Sequence, residues 1–198
     1  RERNRGLFIF CAVLLLLSGA AGVPAAREAA FSGKFYSGDK EELARYVDSA
    51  LSRAKVPALK APVRGIIVPH AGYPYSGDIA AYGYKAAGTD YDLVVILGAA
   101  HTARVKGAAL LAKGYYGTPL GRIPIDEVFS AELIKASPLF EDLPAAHAVE
   151  HSIEVQLPFL QRRLKKPFRL AVAVLNSEDP GTLAEIGRII GKKLKGKK

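Results

Sequence analysis

Strands that carry apolar residues on both faces constrain this chain more than any other feature. Val63 to Val68, Tyr91 to Leu97 and Phe168 to Leu175 are short runs rich in aliphatic and β-branched residues, and Gly107 to Ala112 is a weaker fourth. A strand that can turn neither face to water has to lie in a sheet covered on both sides, the situation of parallel sheets in α/β proteins.

The segments between these runs have helical character. Asp39 with Glu42 has the form of a capping box, and Leu43, Tyr46, Val47, Ala50 and Leu51 recur at helical spacing, predicting a helix over 40–54 that Pro57 and Pro62 end. Ser76 is expected to cap a small-residue helix over 77–87, and Asp126 one that runs to Lys135. A longer helix is expected over 149–164, with Ile153, Leu157, Leu160 and Leu164 on one face and a kink or break at Pro158. Asp179-Pro180 opens a last helix carrying Leu183, Ile186, Ile189, Ile190 and Leu194. The alternation predicts an α/β domain, a mostly parallel central sheet with helices on both faces.

The first 25 residues read differently. Arg1, Arg3 and Arg5 precede an apolar stretch from Leu7 to Leu17 and then small residues to Ala26, the pattern of a secretory signal, with cleavage expected after Ala25. The alternative is an uncleaved anchor, for which Leu7 to Val23 is the available length. The protein is therefore expected to be exported, periplasmic or extracellular, or held at a membrane by this segment alone. Residues 26–198 form the expected folded domain. The sequence opens at Arg1 without a methionine, so its start is expected upstream.

The net charge of +9 invites a nucleic-acid reading until it is located. Residues 1–25 carry +2 and the five tail lysines (Lys192, Lys193, Lys195, Lys197, Lys198) carry +5, which leaves +2 for the body. No basic face interleaved with aromatics remains, so no nucleic-acid partner is expected. The single cysteine, Cys11, lies in the leading apolar run, and any metal site in the body has to use histidine, carboxylate and water.

Ligands in open α/β sheets bind at the carboxyl ends of the strands. His70 falls two residues after the first apolar run and His101 four after the second, both in glycine-bearing loops. Two imidazoles brought to one sheet edge make half of a divalent-metal site, whereas a histidine alone in a loop is by default a hydrogen-bonded structural residue. The remaining two stand in His147-Ala148-Val149-Glu150-His151. If helical, positions i and i+4 share a face, and H-x-x-E-H is also the inverzincin metalloprotease pattern, with the glutamate as general base. The plainer alternative places Glu150 and His151 in a helix's first turn, where the acid suits the dipole.

With these residues laid out, the chain resembles the MEMO family, which includes the B component of the AmmeMemoRadiSam system. The matching segments are AFSGKFYSGD at 30–39, IVPHAGYPYSG at 67–77, LGAAHT at 97–102, TPLG at 118–121 leading to Asp126, and EHSIEVQLPFL at 150–160. The resemblance spans residues 30–175 and implies a LigB/MEMO-like fold similar to class III extradiol dioxygenases. It implies His70 and His101 as metal ligands, with His151 nearby as the catalytic acid or base. Tyr73, His147 and Glu150 are further pocket candidates, and Tyr73 has a place in the core as its alternative. Iron(II) is the implied metal, with copper or zinc as alternatives, and AMMECR1-like and radical SAM proteins are the implied partners. Relatives continue through another strand ending in an S-S-D-x-(S/C)-H-like segment that supplies a further pocket ligand, so the domain is expected to be C-terminally incomplete. Ala99-Ala100 replaces the proline and serine that relatives often carry before the second histidine. Three functions follow as expectations: a metal-dependent, dioxygenase-like enzyme, a non-catalytic peptide- or protein-binding adaptor using the same pocket, and a zinc-dependent H-x-x-E-H hydrolase. No small-molecule substrate is indicated by any residue pattern.

Overall fold

A computed structural model describes residues 26–196, so the expected signal or anchor, Cys11 and the last two lysines lie outside the described residues. The fold is α/β. Its larger sheet has strand order β2-β7-β3-β6, built from β2 (Leu93–Ala99), β3 (Ala108–Leu110), β6 (Phe140–Asp142) and β7 (Arg169–Leu175). β2 pairs with β7 in parallel over its full length, β3 pairs with β6 in parallel, and β3 meets β7 antiparallel. A smaller sheet joins β1 (Ala26–Arg27), β4 (Tyr115–Thr118) and β5 (Gly121–Pro124), the last two as an antiparallel hairpin.

β7 shows why helices cover both faces. Its side chains alternate, so Leu170, Val172 and Val174 enter one apolar cluster while Ala171 and Ala173 enter another. The first cluster is closed by α1 (Lys40–Arg53), α2 (Tyr73–Ala86) and α5 (Leu157–Arg163), through residues such as Leu43, Val47, Ala81 and Phe159. The second is closed by α3 (Glu127–Ala136) and α6 (Pro180–Leu194), through Phe129, Leu133, Ile186 and Ile190. Asp39, Asp126 and Asp179 each accept from a first-turn amide of their helix, as the capping patterns predict.

Three local expectations need correction. Val63 to Val68 forms no strand. Ile66 and Val68 pack half-buried against the core, but Ile67 is fully exposed and no neighbouring strand pairs with the run among the described residues. It lies instead on α2, where a Cβ at Gly83 would stand 2.4 Å from Val68 Cγ1. The helix expected over 77–87 starts four residues earlier, with Gly72 as its N-cap and proline in its first turn, where no intrahelical donor is lost. Ser76 does not cap it, and its hydroxyl donates to the Ala71 carbonyl.

The third correction matters most for the site. The helix expected over 149–164 is broken into α4 (Ala145–Ala148), an irregular stretch, a 3-10 turn (Glu154–Gln156) and α5. Pro158 sits in the first turn of α5, so the break precedes it. Polar contacts hold the irregular stretch in place. Glu154, wholly buried, pairs with Arg27 at 2.5 Å and accepts from the amides of Ala30 and Phe31 and the hydroxyl of Tyr36. Arg27 in turn donates to the carbonyls of His147 and Glu150.

His147 belongs to this buried layer. Its Nε2 lies 2.9 Å from the Ala109 carbonyl and its Nδ1 2.8 Å from the Tyr116 hydroxyl. A carbonyl only accepts, so Nε2 carries the hydrogen and Nδ1 accepts from the tyrosine. Burial drives its pKa down to about 4, opposed by the bond to Ala109 and helped by Arg27.

Two predictions follow from this layer. Arg27→Ala leaves the Glu154 carboxylate buried without its cation and should cost about 3–5 kcal/mol in urea unfolding. His147 is neutral in the fold down to about 4 but takes up a proton from 6.5 downward once unfolded. Stability is therefore expected to fall as pH drops from 6.5 to 4, and His147→Gln, which does not titrate, should reduce the slope of unfolding free energy against pH in that window by about one proton.

Candidate metal centre

The carboxyl ends of β2 and β7 lie side by side, with Ala99 opposite Leu175 in the register. His101 follows β2 by two residues, and His70 stands three residues before α2. His151 comes from the irregular stretch after α4. Each of the three offers a ligand atom, and these atoms lie within 4.8 Å of one another. The rings form a tight set: His101 and His151 stack at 4.6 Å, and His70 lies 5.2 Å from His101 and 5.7 Å from His151.

The stretch 150–156 holds these loops together. Glu150 accepts from the His101 amide at 2.7 Å and lies 2.9 Å from His101 Nδ1. Ser152 donates its hydroxyl to the Ala99 carbonyl, and Gln156 donates to the Pro69 carbonyl, just before His70. A Cβ at Gly98 would stand 2.5 Å from Ser152 Oγ and 2.8 Å from Ile153 Cγ1. That glycine therefore admits the neighbouring chain segment.

Electrostatics favour the neutral form of two of the imidazoles, His70 and His151. Burial lowers the pKa of His70 and the neighbouring His101 lowers it further. Burial likewise lowers His151, with Glu150 opposing and the other two rings adding to the depression. Glu150 is ionised: burial works against its charge, but the Ser152 amide and the ring and amide of His101 hold its pKa at about 2. Neutral nitrogens with free lone pairs are what a divalent ion requires, and three imidazoles this close would repel one another if protonated.

One side of the set is open and another is walled. An open cavity of about 530 Å³ runs from Ile66 past His70 along β2 to Ala99. On the other side Phe35 and Phe31 pack against the His151 ring at 4.6 Å and 5.4 Å.

His70, His101, His151 and Glu150 are thus brought together, as the sequence pointed to, and two candidates are not. His147 is turned into the layer beneath Arg27 with both nitrogens engaged, so it is no part of the pocket wall. The H-x-x-E-H arrangement fails with it, because the segment is not one helix and the two imidazoles do not share a face. Tyr73 is a core residue: it is buried, its hydroxyl donates to the Val155 carbonyl, and its ring packs on Tyr36, Tyr46 and Phe159. Sequence reasoning missed Phe31, Phe35, Ser152 and Asn176. Asn176 directly follows β7 and bonds both ways with the loop after β2, through Val105 and Ala103. The strand-end rule that found His101 would have found it too. No such signal marks the phenylalanines.

Among known proteins, the family model described as Memo-like protein matches residues 27–198. The chain is 37% identical over 174 residues to a MEMO1 family protein of Methanopyrus kandleri, covering 83% of this chain and 61% of that one. It is 38% identical over 165 residues to a MEMO1 family protein of Ignicoccus hospitalis, with 78% and 58% covered. To that of Aquifex aeolicus it is 37% identical over 169 residues, with 85% and 62% covered. The chain thus spans about three fifths of the length of these relatives. On the family match and on identity over most of its length, the chain belongs to the Memo-like protein family.

Proposed function

We propose that this protein is a metal-dependent enzyme in which His70, His101 and His151 hold one divalent ion, iron(II) in the first place. The observation that carries the reading is the convergence of three imidazoles, from three separate loops, on one point at the carboxyl edge of the sheet. Imidazole suits iron, copper and zinc alike, and a set of three leaves positions open for substrate. Bound iron would supply a redox-active centre with room for dioxygen, the chemistry that the resemblance to class III extradiol dioxygenases implies. An AmmeMemoRadiSam-type setting, with AMMECR1-like and radical SAM partners, belongs to the same proposal.

The chain's own residues do the rest. Glu150 accepts from His101 and keeps that ring from rotating. Phe31 and Phe35 shut water from one side of His151, and the cavity beside His70 gives a substrate its approach. In this assignment His151 is the third ligand, in place of the acid–base role expected from sequence. Export, through the segment 1–25, is part of the proposal as well. No described helix is long and apolar enough to cross a membrane.

Metal content of purified protein, with and without added iron(II), tests this. About one ion per chain is expected, and near none in His70→Ala, His101→Ala or His151→Ala. Full occupancy in the His151 variant with activity lost would return that residue to acid–base work. Undiminished metal in the His70 and His101 variants would sink the site.

A further inference from the structure

This inference rests on the metal reading and concerns what aims the His101 ring. The Glu150 side chain is wholly buried, and each of its oxygens accepts from a backbone amide. Oε2 accepts from the His101 amide at 2.7 Å. Oε1 accepts from the Ser152 amide at 2.8 Å, and it lies 2.9 Å from His101 Nδ1 and 3.4 Å from His151 Nδ1. An ionised carboxylate has no hydrogen to give, so a ring nitrogen facing it has to carry one. A hydrogen on Nδ1 leaves the lone pair on Nε2, and that nitrogen becomes the atom offered to a metal.

We propose that Glu150 is the positioning residue of the centre: it fixes His101 as the Nδ1–H tautomer, so that this ring offers Nε2. One carboxylate oxygen takes the His101 ring and the Ser152 amide, and the other ties down the backbone of the loop that carries His101. The negative charge also sits directly behind the ligands of a cation, where outer-shell carboxylates raise imidazole basicity.

The donor pattern makes a carboxylate necessary. A glutamine has one acceptor oxygen and one NH₂, and whichever way it turns, the NH₂ meets a donor. It would face the His101 amide on one side, or the Ser152 amide and the His101 ring on the other. His101 would then have to change tautomer or swing away.

A purely structural Glu150 would stabilise the fold without setting a tautomer, so the test reads tautomers directly. Long-range proton–nitrogen NMR spectra of metal-free protein should show Nδ1 protonated and Nε2 bare for His101. Glu150→Gln should lose that state at His101, and cobalt(II) titration should show affinity about 10–100-fold weaker while unfolding stays cooperative. A wild-type spectrum with Nε2 protonated at His101 overturns the proposal, and so does wild-type cobalt affinity in Glu150→Gln. If the glutamine variant does not fold, the wild-type spectrum decides alone. If wild-type protein binds no cobalt, the metal reading fails, and the tautomer spectra still decide the role of Glu150.

Discussion

Two buried carboxylates, Glu150 and Glu154, set the terms for the rest of this structure. Neither side chain touches water. A buried charge is tolerated only where donors or cations surround it, so each carboxylate fixes everything that solvates it. Glu154 fixes Arg27, Tyr36 and the chain at Ala30 and Phe31. Glu150 fixes the loop and ring of His101. Ser152 and Gln156, between and after them, fix Ala99 and Pro69. A regular helix could not do this, since its side chains would point outward at fixed angles and its backbone would be consumed internally. The break in the expected helix is therefore the device that gathers the loops.

The site follows from that gathering. His70 and His101 come from loops far apart in the chain, and neither loop is rigid by secondary structure. Both are tied to the stretch 150–156, which itself carries His151. Just before it, His147 turns inward beside Arg27 and Tyr116, so the two histidines of 147–151 are divided between core and site by a few residues of backbone.

Much of this was legible in the sequence. Apolar runs announced β2 and β7, spacing and aspartate caps announced α1, α3 and α6, and strand ends pointed to His101 without any reference to relatives. His70 stands beside His101 although the run before it forms no strand. Val63 to Val68 has the composition of a strand, but a strand also needs a partner, which composition does not supply. The small sheet went unseen because β1, β4 and β5 are only two to four residues long. The helix over 149–164 failed for a physical reason: Ile153, Leu157 and Leu160 are buried as its periodicity required, but so are Glu150, Glu154 and Gln156. Polar residues on both sides of an apolar stripe, all buried, need partners from elsewhere in the fold, and helical periodicity carries no record of them.

The central claim is that three imidazoles, and these three, bind one ion. X-ray absorption at the metal edge of iron-loaded protein reads the ligands without reference to activity. About three imidazole nitrogens near 2.1 Å are expected, unchanged in His147→Gln and reduced in His151→Ala. A spectrum with oxygen scatterers alone, or one in which the His147 variant loses an imidazole, would contradict the account.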